Sequence, residues 1–147
     1  MHTLHDYGFN YVRQDIHSWM KVDNWQRYPG QFSNPDWAFL RTGPGTAIDG
    51  KLCFDLTRFN NPYFRERIRP FLQSAADLGI YVELTLFEST GPGNWDGCLY
   101  NDANNVHDLN LRPGVSESDA VLHNSQLLQI QEEFVTKVVS ETDDFGN

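Results

Sequence analysis

The amino-acid sequence predicts an α/β fold in which parallel strands alternate with helices. Along the chain the predicted elements run strand, loop, helix, strand, loop, helix. This order is typical of parallel βαβ units whose crossover helix packs on the sheet. The clearest elements are a helix that begins at Asn61 and a strand over residues 80–87. Because two strands do not make a stable sheet by themselves, we also expect the fold to be incomplete at both ends.

The first predicted strand is short and is followed by a long loop. Residues 9–13 form a β-rich run after Gly8, and residues 4–7 are predicted to be the last turn of a helix that Gly8 terminates. Residues 14–59 show neither helical nor strand periodicity and contain several Pro and Gly turn signals. Connections of this length are usually lids or binding loops, so we expect a binding loop here.

The predicted crossover helix covers residues 61–78. Asn61 and Pro62 supply an N-cap and a proline in the first turn, and Gly79 follows the last apolar residue as a C-terminal cap. The apolar residues that recur at helical spacing are Phe64, Ile68, Phe71, Leu72, Ala75 and Leu78. Pro70 interrupts this pattern and is expected to kink the helix, because it removes a backbone donor.

The second predicted strand alternates between two kinds of side chain. One face is aliphatic and carries Ile80, Val82, Leu84 and Leu86. The other face mixes aromatic with polar side chains, namely Tyr81, Glu83, Thr85 and Phe87. We expect the aliphatic face to lie beneath helices and the mixed face to point inward. A second long loop follows, and a final helix is predicted over about residues 118–141, with an apolar face of Val121, Leu128, Val135 and Val138.

Composition and charge narrow the classes of ligand. The 147 residues are enough for one domain with its own core, and 39 % hydrophobic residues indicate a globular chain. A net charge of −9 disfavours binding to nucleic acids or to anionic membrane surfaces, and no apolar run is long enough to span a bilayer. Neutral ligands such as sugars remain open. The first residues do not resemble a signal peptide, which leaves the cellular location undecided.

Several familiar motifs are absent or incomplete. Residues 45–52 nearly match a phosphate-binding loop, but Leu52 stands where Ser or Thr should bind magnesium, so we interpret the segment as a turn with a surface lysine. The histidines lack metal-ligand spacing, and the loop with Asp102 and Asp108 lacks the glycine and glutamate of a calcium loop. We interpret Cys53 and Cys98 as two unpaired thiols, with a single disulfide between them as the alternative. We therefore expect no metal and no organic cofactor.

Candidate binding residues follow the carboxyl ends of the two predicted strands, at the edge of a parallel sheet where α/β barrels build their sites. They are Arg13, His17 and Trp19 after the first strand, and Trp95, Asn104 and Asn105 after the second. Tryptophan offers a flat apolar face to sugar C–H groups, while Arg, His and Asn bind hydroxyls. The alternative for each tryptophan is a hydrophobic plug beneath its own loop.

Three stretches resemble a known family. Gly-Phe-Asn-Tyr-Val-Arg (residues 8–13) resembles the second barrel strand of the (β/α)₈-barrel glycoside hydrolase clan that includes glycoside hydrolase family 5 cellulases. Phe-Asp-Leu-Thr-Arg-Phe-Asn (54–60), the helix after it and Gly-Ile-Tyr-Val (79–82) resemble the third βα unit. Residues 104–107 and the helix ending Phe-Val-Thr-Lys-Val-Val (134–139) resemble the approach to strand four. The resemblance covers nearly the whole chain.

The resemblance implies a partial TIM (β/α)₈ barrel, roughly strands 2–3 with their helices and long βα loops, in one incomplete domain over residues 1–147. It implies a retaining O-glycosidase with two carboxylates ~5 Å apart. In the family these are a glutamate of an Asn-Glu pair closing strand four and one ending strand seven. Both are expected beyond Asn147, so this chain alone should be inactive. Arg13 matches the family's arginine at the end of strand two, which helps to position the nucleophile.

Two other functions remain possible on the sequence. The first alternative is a non-catalytic carbohydrate-binding α/β domain, in which the same aromatic residues bind sugar without cleaving it. The second is a small doubly wound protein with another ligand, which is disfavoured because no Gly-rich phosphate turn follows either strand. The sugar, the linkage and the oligomeric state are left open.

Overall fold

The computed structural model describes residues 1–16, 37–87, 95–111 and 123–145. In these ranges the protein is a mixed α/β structure with two separate two-stranded sheets, one parallel and one antiparallel. The predicted α/β class and its pair of parallel strands are confirmed. A closed barrel is not seen in the described part of the chain.

The parallel sheet is formed by β1 (Tyr11–Asp15) and β4 (Tyr81–Thr85), which run side by side in register. Helix α1 (His2–Asp6) precedes β1 and ends at Gly8, whose φ of 78° places it in the left-handed region that terminates helices. β1 begins at Tyr11, two residues after the start of the predicted strand over residues 9–13. The connection from β1 to β4 contains a helix, as the βαβ prediction requires.

The crossover helix begins with a π-helical segment, Tyr63–Ile68, and continues as α2 (Arg69–Ala76). The helix is interrupted near Pro70, as expected, and the interruption is the π-helical segment that precedes it. The backbone N–H of Arg69 donates to the carbonyl oxygen of Phe64, five residues back, immediately before the proline that has no N–H to donate. Gly79 ends the helix with φ of 67°, and the Ile80 N–H bonds back to the Ala75 carbonyl, so the predicted end is confirmed.

A β-hairpin occupies residues that the sequence pattern assigned to a loop. It pairs β2 (Phe39–Thr46) with β3 (Leu52–Phe59) in antiparallel fashion, so the loop prediction over residues 14–59 is wrong for this part. The pairing register shifts between Arg41 and Thr46, where Thr-Gly-Pro-Gly bulges out of the ladder. That bulge breaks the alternation by which strands are recognised. The turn between the strands leaves Lys51 exposed, as interpreted.

The final helix, α3 (Ser125–Thr142), begins at Asn124, whose side chain accepts from the Leu127 N–H at 2.9 Å. The helix is confirmed, but its predicted apolar face is only partly right. Val138 is buried and Val135 half-buried, whereas Leu128 is exposed, and Val121 lies outside the described residues. The buried residues are Leu127, Ile130, Phe134 and Val138. This stripe contains the larger side chains and therefore removes more apolar surface from water.

One continuous hydrophobic core joins the hairpin, the crossover helix, α3 and the 95–111 loop. Its largest fully buried side chains include Phe54, Phe64 and Phe134. Cys53 and Cys98 are also buried and form no disulfide. Among the described helices, none combines the length and apolar character needed to cross a bilayer.

The two faces of the parallel sheet differ as predicted. The aliphatic face packs on the core, with Ile80 buried and Val82, Leu84 and Leu86 half-buried. The opposite surface, here called the open face, carries Tyr11, Arg13, Asp15, Tyr81, Glu83 and Thr85. Phe87 does not join it, because β4 ends at Thr85 and the Phe87 ring packs edge-on against Phe134. Most of the open face is turned to solvent among the described residues, but Thr85 is half-buried and its Oγ1 is buried.

Candidate functional site

The open face of the β1–β4 sheet carries a connected set of three polar side chains. Parallel pairing sets Arg13 directly beside Glu83, and the Arg13 Nε lies 2.9 Å from the Glu83 Oε1. The hydroxyl of Tyr11 donates to the other oxygen of Glu83. Both carboxylate oxygens are therefore held, while Arg13 uses only part of a guanidinium that has five donors.

Arg13 does not lie at the position along the strand that the family resemblance implies. It was expected at the carboxyl end of its strand, but it occupies the middle of β1, and the ladder continues until the Ile16 N–H bonds to the Thr85 carbonyl at 3.1 Å. The expected inward-facing side is matched only in part: Arg13 lies on the face away from the core, and that face is solvent-exposed here. The carboxyl end of the open face belongs to Asp15 and Thr85.

Asn104 is completely buried, and its amide bonds to three backbone groups. Its Oδ1 accepts from the Ile48 N–H at 3.0 Å, and its Nδ2 donates to the carbonyl oxygens of Asp96 at 2.7 Å and Cys98 at 2.8 Å. These bonds use both amide donors and one lone pair of the acceptor. The side chain predicted to bind a sugar hydroxyl is thus engaged in closing its own loop.

Asn105 is used in the same way. Its Nδ2 donates to the Leu99 and Asn101 carbonyls, both at 2.9 Å, and its Oδ1 accepts from the His107 N–H at 2.8 Å. The side chain is buried. A run of asparagine amides therefore folds residues 95–111 into a compact unit without regular secondary structure.

This loop docks on the hairpin through the backbone. The Phe54 N–H donates to the Asn104 carbonyl and the Val106 N–H donates to the Phe54 carbonyl, each at 2.9 Å. The resulting bridge aligns the loop in parallel with β3. The strand missed by the sequence pattern is therefore the support for the loop that carries Trp95.

Trp95 begins a 3₁₀ turn, Trp95–Gly97, and is half-buried against the core. Its carbonyl accepts from the Asn101 side chain at 3.1 Å, whereas its indole Nε1 is buried and has no hydrogen-bond partner among the described residues. The Trp95 ring therefore packs partly against the core and is partly accessible to solvent. His17 and Trp19 lie outside the described residues, so the pairing of Trp19 with Trp95 on one surface stays a prediction.

An Asp–His pair lies beside the bridge. The Leu56 N–H lies 3.0 Å from His107 Nε2, and this nitrogen lies 3.3 Å from Asp55 Oδ1. Partial burial by itself would raise the pKa of Asp55, but hydrogen bonds from Thr57 together with the neighbouring His107 outweigh it and hold that pKa below its ordinary value. The pair fastens the loop to β3.

Asp102 also serves the loop. Its Oδ1 accepts from the Leu109 N–H at 2.9 Å and its Oδ2 from the Leu111 N–H at 3.0 Å. Both carboxylate oxygens of Asp102 therefore accept hydrogen bonds from backbone N–H groups of the loop. Across the part of the chain that the structure describes, no group of three or more His, Cys, Asp and Glu side chains could hold a metal ion.

The residues that sequence reasoning missed are Tyr11, Glu83 and Thr85. The signal that could have found them is the parallel pairing itself, which sets equivalent positions of two strands side by side. Comparisons with protein-family models, with curated proteins and with solved structures find no match to this chain.

Proposed function

We propose that this chain forms part of the substrate cleft of a retaining O-glycosidase built on a (β/α)₈ barrel. In this proposal β1 and β4 correspond to barrel strands two and three. The acid/base and nucleophile glutamates come from sequence beyond Asn147, and no metal or organic cofactor takes part. The ligand is a carbohydrate, and neither nucleic acid nor membrane is a partner.

The observation that carries the proposal is the division of the parallel sheet into two faces. Its aliphatic side lies on the core, and its open side carries Arg13, Glu83 and Tyr11 in contact. Sheets made of parallel strands are normally covered on both faces. In a barrel the second face lines the interior, and the carboxyl ends of the strands build the site. The polar side chains of the open face support this arrangement.

The site residues take two kinds of role in this proposal. Arg13 supplies electrostatic support to the nucleophile, while Trp95, with His17 and Trp19, contributes to the sugar-binding surface. Asn104 and Asn105 act indirectly, because their amides are already bonded within the loop that presents Trp95. The net charge of −9 supports a neutral ligand over a phosphate-bearing one.

A non-catalytic carbohydrate-binding domain is the second candidate. The continuous core of the described residues favours it, since a self-contained binding module needs a core of its own. In that case the open face and Trp95 bind sugar, and cleavage does not occur.

The test has two parts. The first is to read the gene downstream of Asn147: an Asn-Glu pair after a short aliphatic strand supports the enzyme, and a stop codon supports the binding module. The second is to express residues 1–147 and assay binding of cellohexaose, mannohexaose and xylohexaose, together with release of an aryl group from aryl β-glycosides. We expect binding without turnover. Failure to bind any of the three sugars would contradict both candidates. Glu88 is the carboxylate that directly follows the second predicted strand in the sequence, and turnover abolished by Glu88→Gln would show that this chain carries its own catalytic groups.

A further inference from the structure

We propose that Glu83 is a positioning residue of the carbohydrate site and acts through Arg13. The inference rests on the proposed function and extends it, because Glu83 was not among the residues that the sequence suggested. Its role is to hold the Arg13 guanidinium in one orientation so that the remaining donors meet ligand oxygens.

The geometry of the contact supports this role. The Arg13 Nε lies 2.9 Å from Glu83 Oε1, and among the described residues no hydrogen bond engages the two terminal nitrogens. In the described part of the chain no second carboxylate pairs with Arg13. A guanidinium held at Nε presents a planar fork, which suits the paired oxygens of a vicinal diol or of a carboxylate.

Tyr11 makes the arrangement more rigid. Its hydroxyl donates to Glu83 Oε2 while Arg13 contacts Oε1. The carboxylate is thus held from two sides, and its torsional freedom is reduced. Because an unrestrained arginine loses much side-chain entropy when it binds a ligand, this prior ordering should strengthen ligand binding.

The Arg13 and Glu83 side chains are 63 % and 44 % exposed. Ion pairs with this exposure contribute little to folding stability. Loss of the pair should therefore leave the fold intact, which allows a change in ligand binding to be separated from unfolding.

The experiment is a double-mutant cycle in the 147-residue chain. Binding of cellohexaose, mannohexaose and xylohexaose is measured by calorimetry for the wild type, Glu83→Gln, Arg13→Lys and the double variant. Glu83→Gln keeps an oxygen for the Tyr11 hydroxyl and removes the charge that holds Arg13. We expect the Kd to rise about 3- to 10-fold in Glu83→Gln. In the Arg13→Lys background the same change should have no further effect, because Glu83 acts through Arg13.

The matched control is Glu141→Gln. It removes the carboxylate of another close ion pair, Lys137–Glu141 at 2.6 Å on α3, and the Kd should not change. The role of Glu83 is refuted, while the proposed function stands, if the wild type binds a sugar and Glu83→Gln binds it equally well. The same conclusion follows if Glu83→Gln raises the Kd by the same factor in the wild type and in Arg13→Lys. If the wild type binds none of the three sugars, both proposals are refuted.

Discussion

Phe54 and Asn105 are bridged through their backbones, although they lie far apart in sequence, and this bridge attaches an irregular loop to a hairpin strand. The loop has no helix or sheet of its own beyond one short turn. Its shape depends on the buried amides of Asn101, Asn104 and Asn105. The position of Trp95 relative to the hairpin therefore depends on amide hydrogen bonds.

The first prediction concerns Asn104. Asn104→Ala removes one acceptor and two donors. The Ile48 N–H and the Asp96 carbonyl lose their partner, whereas the Cys98 carbonyl keeps its bond from the Asn101 N–H. We expect the free energy of unfolding to fall by about 2–4 kcal/mol, since each buried group left unsatisfied costs about 1–3 kcal/mol. Urea unfolding measures the change. The control is Asn10→Ala, at an exposed position, and an equal loss in both variants would contradict a special role for Asn104.

The second prediction concerns Arg41. Its guanidinium pairs with Asp49 at 2.6 Å and 3.0 Å, donates to the Leu52 carbonyl and lies 4.0 Å from the centre of the Phe54 ring. Arg41→Ala leaves Asp49 largely buried without its partner, and should cost about 1–3 kcal/mol. Arg13→Ala, at the exposed pair on β1, should cost less than about 1 kcal/mol. Thermal or urea unfolding measures the loss of stability in each variant. Similar losses would refute the larger contribution of the Arg41–Asp49 pair.

The third prediction concerns pH. The pKa of Asp55 is held below its ordinary value, so the folded protein binds fewer protons at this group than the unfolded chain does. Its contribution to stability is complete above the unfolded pKa of about 3.9 and is lost as the pH falls through the folded pKa. Asp55→Asn should therefore flatten the decline in stability below about pH 5. Urea midpoints at a series of pH values measure this, with Asp108→Asn as an exposed control; parallel declines in wild type and Asp55→Asn would contradict it.

The fourth prediction concerns Trp95. Its indole N–H has no hydrogen-bond partner among the described residues, so Trp95→Phe loses no such bond and should cost about 1 kcal/mol or less beyond the loss of ring area. Trp95→Ala removes the apolar ring that packs on the core and should cost about 2–4 kcal/mol. Both variants should bind hexasaccharides more weakly if the ring contacts sugar. Unchanged sugar binding in Trp95→Phe would leave the ring with a packing role alone.

The elements that the sequence predicted correctly are those with local signals. The crossover helix is framed by Asn61 and Pro62 at one end and Gly79 at the other, and β4 alternates between aliphatic and mixed positions. These patterns depend on residues that are neighbours along the chain. The hairpin was missed because β2 contains Thr-Gly-Pro-Gly and because β3 buries the adjacent residues Cys53 and Phe54, so neither strand shows the expected period.

The sequence by itself determined the α/β class, the crossover helix and the two faces of the parallel sheet, because spacing of apolar residues decides which side of an element can be buried. The tertiary structure decided the partners. Arg13 meets Glu83 only through the register of two strands separated by the whole crossover, and Asn104 is an internal bond former because a distant hairpin supplies the Ile48 N–H. Such contacts depend on how segments distant in the chain align, and local periodicity does not specify that alignment.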